Sequence, residues 1–299
     1  MAGAPEDGSG GPIAIIAGGG QVPVHLARSM ADRGLSIVVV MLKGDADPAL
    51  AAYDHIAVNP VELARFKRFM LDRGVRTVTL VGSVRGRPDI GRFRPDWTTL
   101  RFIGRIVGAL GRGDDALLRA VVGMMEDGGL KVVGAHELEP DLVAPAGLLG
   151  SVAVPKGQRA SIDTGVAAAT TLGALDAGQA VVVVGRRVVA LEGAEGTDAM
   201  IERVAQLRAI GRLGRKKGGV LVKLRKPGQD IRVDMPTIGP QTVRNAAAAG
   251  LAGIAVHGEN TLVMDRAATV EAADRAGLFL VGLTPDPVAL IAGEGPDDR

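Results

Sequence analysis

No cysteine occurs anywhere in the 299 residues, which excludes disulfides, thiol nucleophiles and cysteine-bound zinc and is compatible with a reducing cytoplasm. The four histidines, His25, His55, His136 and His257, are scattered and never paired at ligand spacing, which argues against a histidine-rich dinuclear metallophosphatase. A P-loop lysine motif and a G-x-S-x-G nucleophile elbow are both missing. Aromatics make up only 2% of the chain, so the core must be built from Val, Leu, Ile and Ala. Charge of one sign is lacking too: 35 basic against 33 acidic residues leave a net +2, which gives no argument for a nucleic-acid partner. No apolar run reaches the ~18 residues of a membrane-spanning helix, and residues 1–11 lack the basic start and apolar stretch of a signal peptide.

What is present is 47% hydrophobic residues and 43 glycines, a composition suited to a strand-and-helix alternation with many tight turns. The expected fold class is α/β, with a Rossmann-like doubly wound domain over residues 12–150 and a second α/β domain over 151–299. Ile13-Ala-Ile-Ile-Ala-Gly-Gly-Gly20, a helical pattern and Ile37-Val-Val-Val-Met-Leu42 read as the opening βαβ unit. Gly18, Gly19 and Gly20 there would let backbone N–H groups approach a phosphate. The G-x-G-x-x-G spacing of dinucleotide sites is absent, and an acid after the second strand is available only as Asp45. A third strand, 77–82, ends in Gly82-Ser83, at the sheet edge where ligands of such folds bind. Five arginines among Phe93, Trp97, Phe102 and the apolar run to Leu110 suit acidic lipid or an acyl chain, and suit a buried helix equally. Asp114 and Asp115 begin a helix, one as its N-cap and the other as a ligand candidate. His136 follows another strand at a carboxyl edge, where a packed histidine would serve as well.

In the second half we expect a helix over 166–177, a hairpin over 180–191, and a strand pair formed by 253–256 and 261–264. Glu192-Gly-Ala-Glu195-Gly-Thr197-Asp198 carries more acids and glycines than the cap that Thr197 could supply. Lys226-Pro-Gly-Gln229-Asp230-Ile-Arg232-Val-Asp234-Met-Pro-Thr-Ile-Gly239 runs from a strand into a helix beginning at Pro240. If extended, it would put Asp230, Arg232 and Asp234 on one face and Ile231 and Val233 toward the core. Carboxylates, a cation and helix N–H donors suit phosphoryl chemistry; a solvated edge strand feeding a helix is the plainer alternative. The oxygen-rich set of Asp114, Asp115, Glu192, Glu195, Asp198, Asp230 and Asp234 is the donor type preferred by magnesium or manganese.

Six blocks then point to one family: Ile15-Ile-Ala-Gly-Gly-Gly20 with Pro23, Gly82-x-Val84-x-x-x-Pro88, Arg112-Gly-Asp-Asp-Ala-Leu-Leu-Arg119, Gly134-Ala-His-Glu137, Glu195-Gly-Thr-Asp-Ala-Met200 and Gln229-x-x-Arg232-Val-Asp234-x-Pro236-Thr-Ile-Gly239. Through them the chain resembles, over nearly its whole length, the LpxI family of UDP-2,3-diacylglucosamine pyrophosphatases of lipid A biosynthesis. Ser83 stands where that pattern leads us to expect Asn. The resemblance implies cation-dependent hydrolysis to UMP and 2,3-diacylglucosamine 1-phosphate, with two α/β domains meeting around the lipid nucleotide. It also implies a lipid-linked UDP-sugar partner, peripheral association with the inner membrane from the cytoplasmic side, and room for a homodimer. On this basis Asp234 is expected to be catalytic and to hold Mg2+ or Mn2+ with Asp198. Gly18, Gly19, Gly20, Gly82, Ser83, Asp115, His136, Glu195, Gly196, Thr197, Gln229, Arg232 and Thr237 are expected to bind substrate. The alternatives are a sugar-nucleotide oxidoreductase using a nucleotide cofactor, which Gly18–Gly20 would permit, and a nucleotide-binding module without activity.

Overall fold

Short runs of small and β-branched residues become strands buried on both faces, as parallel sheets require. A computed structural model describes residues 11–60, 62–84, 114–214 and 218–284, and statements of number or absence below concern these described residues. The chain divides into two units: one holds the residues up to Pro140 together with Asp230–Asp234, the other Asp141–Gln229 with the residues from Met235 onward. The division falls earlier than residue 150, and the five-residue return of Asp230–Asp234 to the first unit was not foreseen from the sequence.

In the first unit, β1 (Ile13–Ala17), β2 (Ile37–Leu42), β3 (His55–Val58), β4 (Thr77–Val81) and β5 (Lys131–Val132) form one sheet in the order β3-β2-β1-β4-β5. All four neighbouring pairs are parallel. This is the Rossmann-like half-winding, and the strand order reverses between β1 and β4, whose carboxyl ends therefore border the crevice where such sheets take ligands. The described helices are α1 (Gln21–Asp32), α2 (Leu63–Asp72), α3 (Asp114–Asp127) and the single turn α4 (Ala135–Leu138). Val38, Val40, Phe69, Met70, Val122 and Met125 fill a core between sheet and helices, and Val233 packs against it from the returning segment. The sequence did not reveal β3, whose short His-Ile-Ala-Val run has only one fully buried residue.

The second unit has a six-stranded mixed sheet in the order β6-β13-β11-β9-β7-β8 and a separate parallel pair, β10 with β12. These strands are β6 (Gly147–Leu148), β7 (Ala180–Val184), β8 (Arg187–Leu191), β9 (Val220–Lys223), β10 (Thr237–Ile238), β11 (Gly253–His257), β12 (Leu262–Val263) and β13 (Phe279–Leu283). The β7–β8 hairpin is as expected. The expected pairing of 253–256 with 261–264 is corrected: β11 lies between β9 and β13, and β12 pairs with β10. Central β11 is buried at all five positions, which an outer hairpin strand could not be. Helix α5 (Arg159–Ala174) begins earlier than residue 166 and includes Gly165, where a Cβ would stand 2.4 Å from Val222; absence of a side chain lets helix and sheet approach. Its residues Ile162, Val166 and Ala169 cover one sheet face with Val181, Val222 and Phe279. Helices α6 (Gly196–Ala209), α7 (Pro240–Ala248) and α8 (Arg266–Ala276) border the opposite core, which includes Met200, Val243 and Ala273. Each large aliphatic side chain so buried contributes about 1.5–3 kcal/mol.

Candidate functional site

At the switch point of the first sheet, the glycine turn after β1 and the turn after β4 pair with each other. Gly18 N–H donates to the Val81 carbonyl at 2.9 Å, Gly19 N–H to that of Ser83 at 2.7 Å, and Ser83 N–H back to Gly19 at 2.9 Å. A Cβ on Gly18 would stand 2.5 Å from the Ser83 oxygen, and one on Gly82 2.6 Å from the Gly19 oxygen. The expectation that Gly18 and Gly19 offer their amides to phosphate is therefore corrected, since both N–H groups already serve this zipper. Gly20 differs. With φ +98° and open space around its Cα, it is the N-cap of α1, which no side chain caps. An anion approaching this turn would meet Gly20 and the start of α1. The carbonyl of Asp45 lies 3.2 Å from where a Gly19 side chain would begin, so the acid-bearing turn after β2 borders the glycines. Asp115 sits half-buried in the first turn of α3.

A second cluster in the same unit gathers Gly134, His136, Glu137, Asp230 and Arg232. Glu137 accepts from the Gly134 N–H at 2.7 Å and so starts α4. Gly134 must be glycine, because a Cβ would lie 2.3 Å from the His136 ring and 3.0 Å from the Arg232 backbone. His136 Nδ1 is buried with no hydrogen-bond partner. Burial holds its pKa below the ordinary histidine value, although the charges of Glu137 and Asp230 pull the other way.

The run 230–234 is not extended, and the shared face expected for Asp230, Arg232 and Asp234 is corrected. The Val233 and Asp234 amides both donate to the Asp230 carbonyl at 3.1 Å, which makes one helical turn. The cause is local: Asp230 Oδ1 accepts the Arg232 N–H at 3.1 Å, an Asx turn that folds the backbone before a strand can form. Arg232 then curls back onto Asp230 with bonds of 3.0 and 2.7 Å and reaches Glu126 on α3 at 2.7 Å. The guanidinium hydrogen bonds hold the Asp230 carboxyl below the usual range, and the two carboxylates raise Arg232 above its own. Asp234 is half-buried at the end of this turn. Upstream, Gln229 is 6% exposed, and its side-chain oxygen accepts the Lys226 N–H at 2.9 Å while its own N–H returns to Lys226. Gln229, expected as a substrate contact, closes the Lys226–Gln229 turn. Lys226 anchors that turn through a 2.6 Å ion pair with Asp176.

In the second unit, Thr197 does not cap α6; it lies inside the first turn and donates to Glu192 Oε1 at 2.6 Å. Buried Lys223 donates to Thr197 Oγ1 and to the Thr237 carbonyl, each at 3.0 Å. The Thr237 hydroxyl donates a hydrogen bond to the Met235 carbonyl at 3.1 Å. The Thr197 and Thr237 segments expected to share a site are thus joined, by a lysine not singled out in the sequence. The one available signal was a charge ending the otherwise apolar strand Val220-Leu-Val-Lys223. Gly196 opens α6, Glu195 pairs with Arg203 at 3.1 Å, and Asp198 Oδ1 accepts from Asn245 at 2.9 Å.

No three His, Asp or Glu side chains gather in a way that could hold a metal among the described residues. Asp230 has both oxygens engaged by Arg232. Such donors do not form an all-protein cage. Magnesium does not require such a cage, since it keeps its waters and binds through one or two carboxylates plus phosphate oxygens.

Residues 12–142 match the LpxI N-terminal domain model and residues 145–281 the LpxI C-terminal domain model. The UDP-2,3-diacylglucosamine pyrophosphatase LpxI of Caulobacter vibrioides is 40% identical over 274 residues, 91% of this chain and 98% of that protein. Among solved structures, a GalE-like L-threonine dehydrogenase from Cupriavidus necator aligns at TM-score 0.31 and 12% identity, over 94% of this chain and 88% of that one. The NAD complex of UDP-glucose 4-epimerase from Thermus thermophilus aligns at TM-score 0.30 and 14% identity, over 96% and 94%.

Proposed function

The chain belongs to the LpxI family, and we propose from that membership how its residues hydrolyse the pyrophosphate of UDP-2,3-diacylglucosamine. The activity is that of a UDP-2,3-diacylglucosamine pyrophosphatase in lipid A biosynthesis. One observation carries it: family models cover both halves of the chain, residues 12–142 and 145–281. The oxidoreductase and the inactive nucleotide-binding module are set aside on the same ground.

Hydrolysis adds a water oxygen to one phosphorus, breaks that atom's bond to the bridging oxygen and sends the electron pair to the departing phosphate. The products are UMP and 2,3-diacylglucosamine 1-phosphate, with the water's proton passed to a base or to solvent. The chain must therefore orient the diphosphate, offset its charge and hold or activate the water. Asp234 is the carboxylate we assign to this last task, directly or by holding a magnesium or manganese ion. Such an ion, when bound, offsets phosphate charge and lowers the pKa of water. Arg232 keeps the Asp230–Asp234 turn folded through Asp230 and Glu126. Gly20 and the uncapped start of α1 are suited to an anionic group of the nucleotide. No described helix is long and apolar enough to cross a membrane. The diacyl substrate is met, on our reading, by peripheral contact with the inner membrane on its cytoplasmic side, by an enzyme that a homodimer would suit. The arginine-rich stretch 93–110 expected to make that contact lies outside the described residues.

Asp234→Ala tests the assignment. Acyl chains and uridine supply contacts remote from the reacting phosphorus, so single-turnover release of UMP should fall by about two orders of magnitude or more while substrate affinity is retained. A folded Asp234→Ala protein with near-native turnover would remove Asp234 from the mechanism.

A further inference from the structure

Lys223 ends β9, a strand buried at all four positions, and is itself 7% exposed. A buried ammonium is unfavourable unless paired, and methionine would fill a similar volume in an aliphatic core without that penalty. The group is held by donation at 3.0 Å to Thr197 Oγ1 and at 3.0 Å to the Thr237 carbonyl. Thr197 Oγ1 donates a hydrogen bond to Glu192 Oε1 at 2.6 Å, and Glu192 Oε2 accepts the Gln179 N–H at 3.0 Å. The Thr197 hydroxyl is thereby fixed in direction: its proton faces the glutamate and a lone pair faces the lysine. Thr197 belongs to the block Glu195–Met200 and Thr237 to the block Gln229–Gly239, two stretches that carry the family resemblance. Lys223 lies in neither block, yet it joins them.

Resting on the pyrophosphatase reading above, we infer that Lys223 is a positioning residue for the hydrolysis. Its ammonium sets the spacing between the first turn of α6 and the segment that leads through β10 into α7. Polar groups presented by those two segments act on phosphate only when held to well under an ångström, since misplacement of about 1 Å lowers turnover roughly a hundredfold. Aliphatic packing alone does not fix that spacing, because it is non-directional; a cation that donates to an oxygen of each segment does.

The test compares Lys223→Met with the double variant Glu192→Gln/Lys223→Met, in which the carboxylate on the far side of the Thr197 hydroxyl is neutralised as well. UMP release from UDP-2,3-diacylglucosamine is measured well below each melting temperature. We expect Lys223→Met to lower kcat about tenfold or more with KM within about threefold. The double variant should melt near the unaltered enzyme and keep the loss in kcat. Recovery of kcat in the double variant, or a folded Lys223→Met enzyme with kcat within about twofold of normal, would reduce Lys223 to a counter-charge for Glu192 and overturn the inference. Should Lys223→Met not fold, kcat of the double variant decides in the same way. Absence of UMP release by the unaltered enzyme would instead sink the pyrophosphatase reading.

Discussion

His136 shows how a single side chain ties this chain's stability to pH. Its ring lies against Gly134 with Nδ1 buried, and burial lowers its pKa below the ordinary histidine value. A depressed folded pKa means that the unfolded chain takes up the proton first as pH falls, so stability present above about 6.5 is lost through the window below it. Melting temperature measured from pH 7.5 to 5 should therefore fall more steeply for the unaltered protein than for His136→Gln; parallel curves would show that burial is not coupled to titration there. Asp230 has the same sign in a separate window. Its carboxyl is held low by Arg232, so its contribution is complete above about pH 4 and disappears only as pH drops further. The place of His136 just after a strand was legible in the sequence. Its partners were not, because Arg232 lies 96 positions away along the chain and meets Gly134 only after folding.

At the scale of elements, the glycines after β1 and β4 were legible as a turn, but not the engagement of the Gly18 and Gly19 amides within it. Sequence shows that glycine is needed; it does not show whether the close neighbour is a ligand or another strand end. Here it is another strand end, at Gly18, Gly19, Gly82 and Ser83. Gly82 combines φ +92° with a Cβ position 2.6 Å from the Gly19 oxygen and 2.9 Å from Pro23. Gly82→Ala should destabilise the protein by about 2 kcal/mol or more, from left-handed strain plus overlap. Gly123→Ala, in the interior of α3 with nothing within 4 Å of the added carbon, should be neutral or stabilise by up to about 1 kcal/mol. Equal effects of the two substitutions in a denaturant titration would show that the zipper is not under steric constraint. The turn at Asp230–Asp234 escaped the sequence reading for a related reason. Alternating polar and apolar residues favour a strand, but the Asp230 side chain captures the Arg232 N–H and diverts the backbone.

For the whole molecule, the distribution of carboxylates bears on how a cation is used. With Asp230 held by Arg232 and Asp198 hydrogen-bonded to Asn245, no ready-made cluster is found among the described residues. If the cation proposed above is bound only together with the substrate phosphates, its effect on stability should follow that order. Millimolar magnesium alone should raise the melting temperature by about 1 °C or less, and magnesium with a UDP-sugar by more than either ligand alone. Chelation should stop turnover without lowering the melting temperature of the free enzyme. A rise of several degrees with magnesium alone would mean a preformed metal site and would contradict the assignment.

Two α/β halves, aliphatic cores, most strands and the six family blocks were determined by the sequence itself, because hydrophobic period and glycine placement act over a few residues at a time. Tertiary structure alone decided which half Asp230–Asp234 joins, which proton acceptor Thr197 finds and what Lys223 holds. Those outcomes depend on partners far apart in the chain, 106 positions between Arg232 and Glu126 and 26 between Lys223 and Thr197. A polar group's role is set by the donor or acceptor that folding brings within about 3 Å, and local sequence pattern carries no record of that distance.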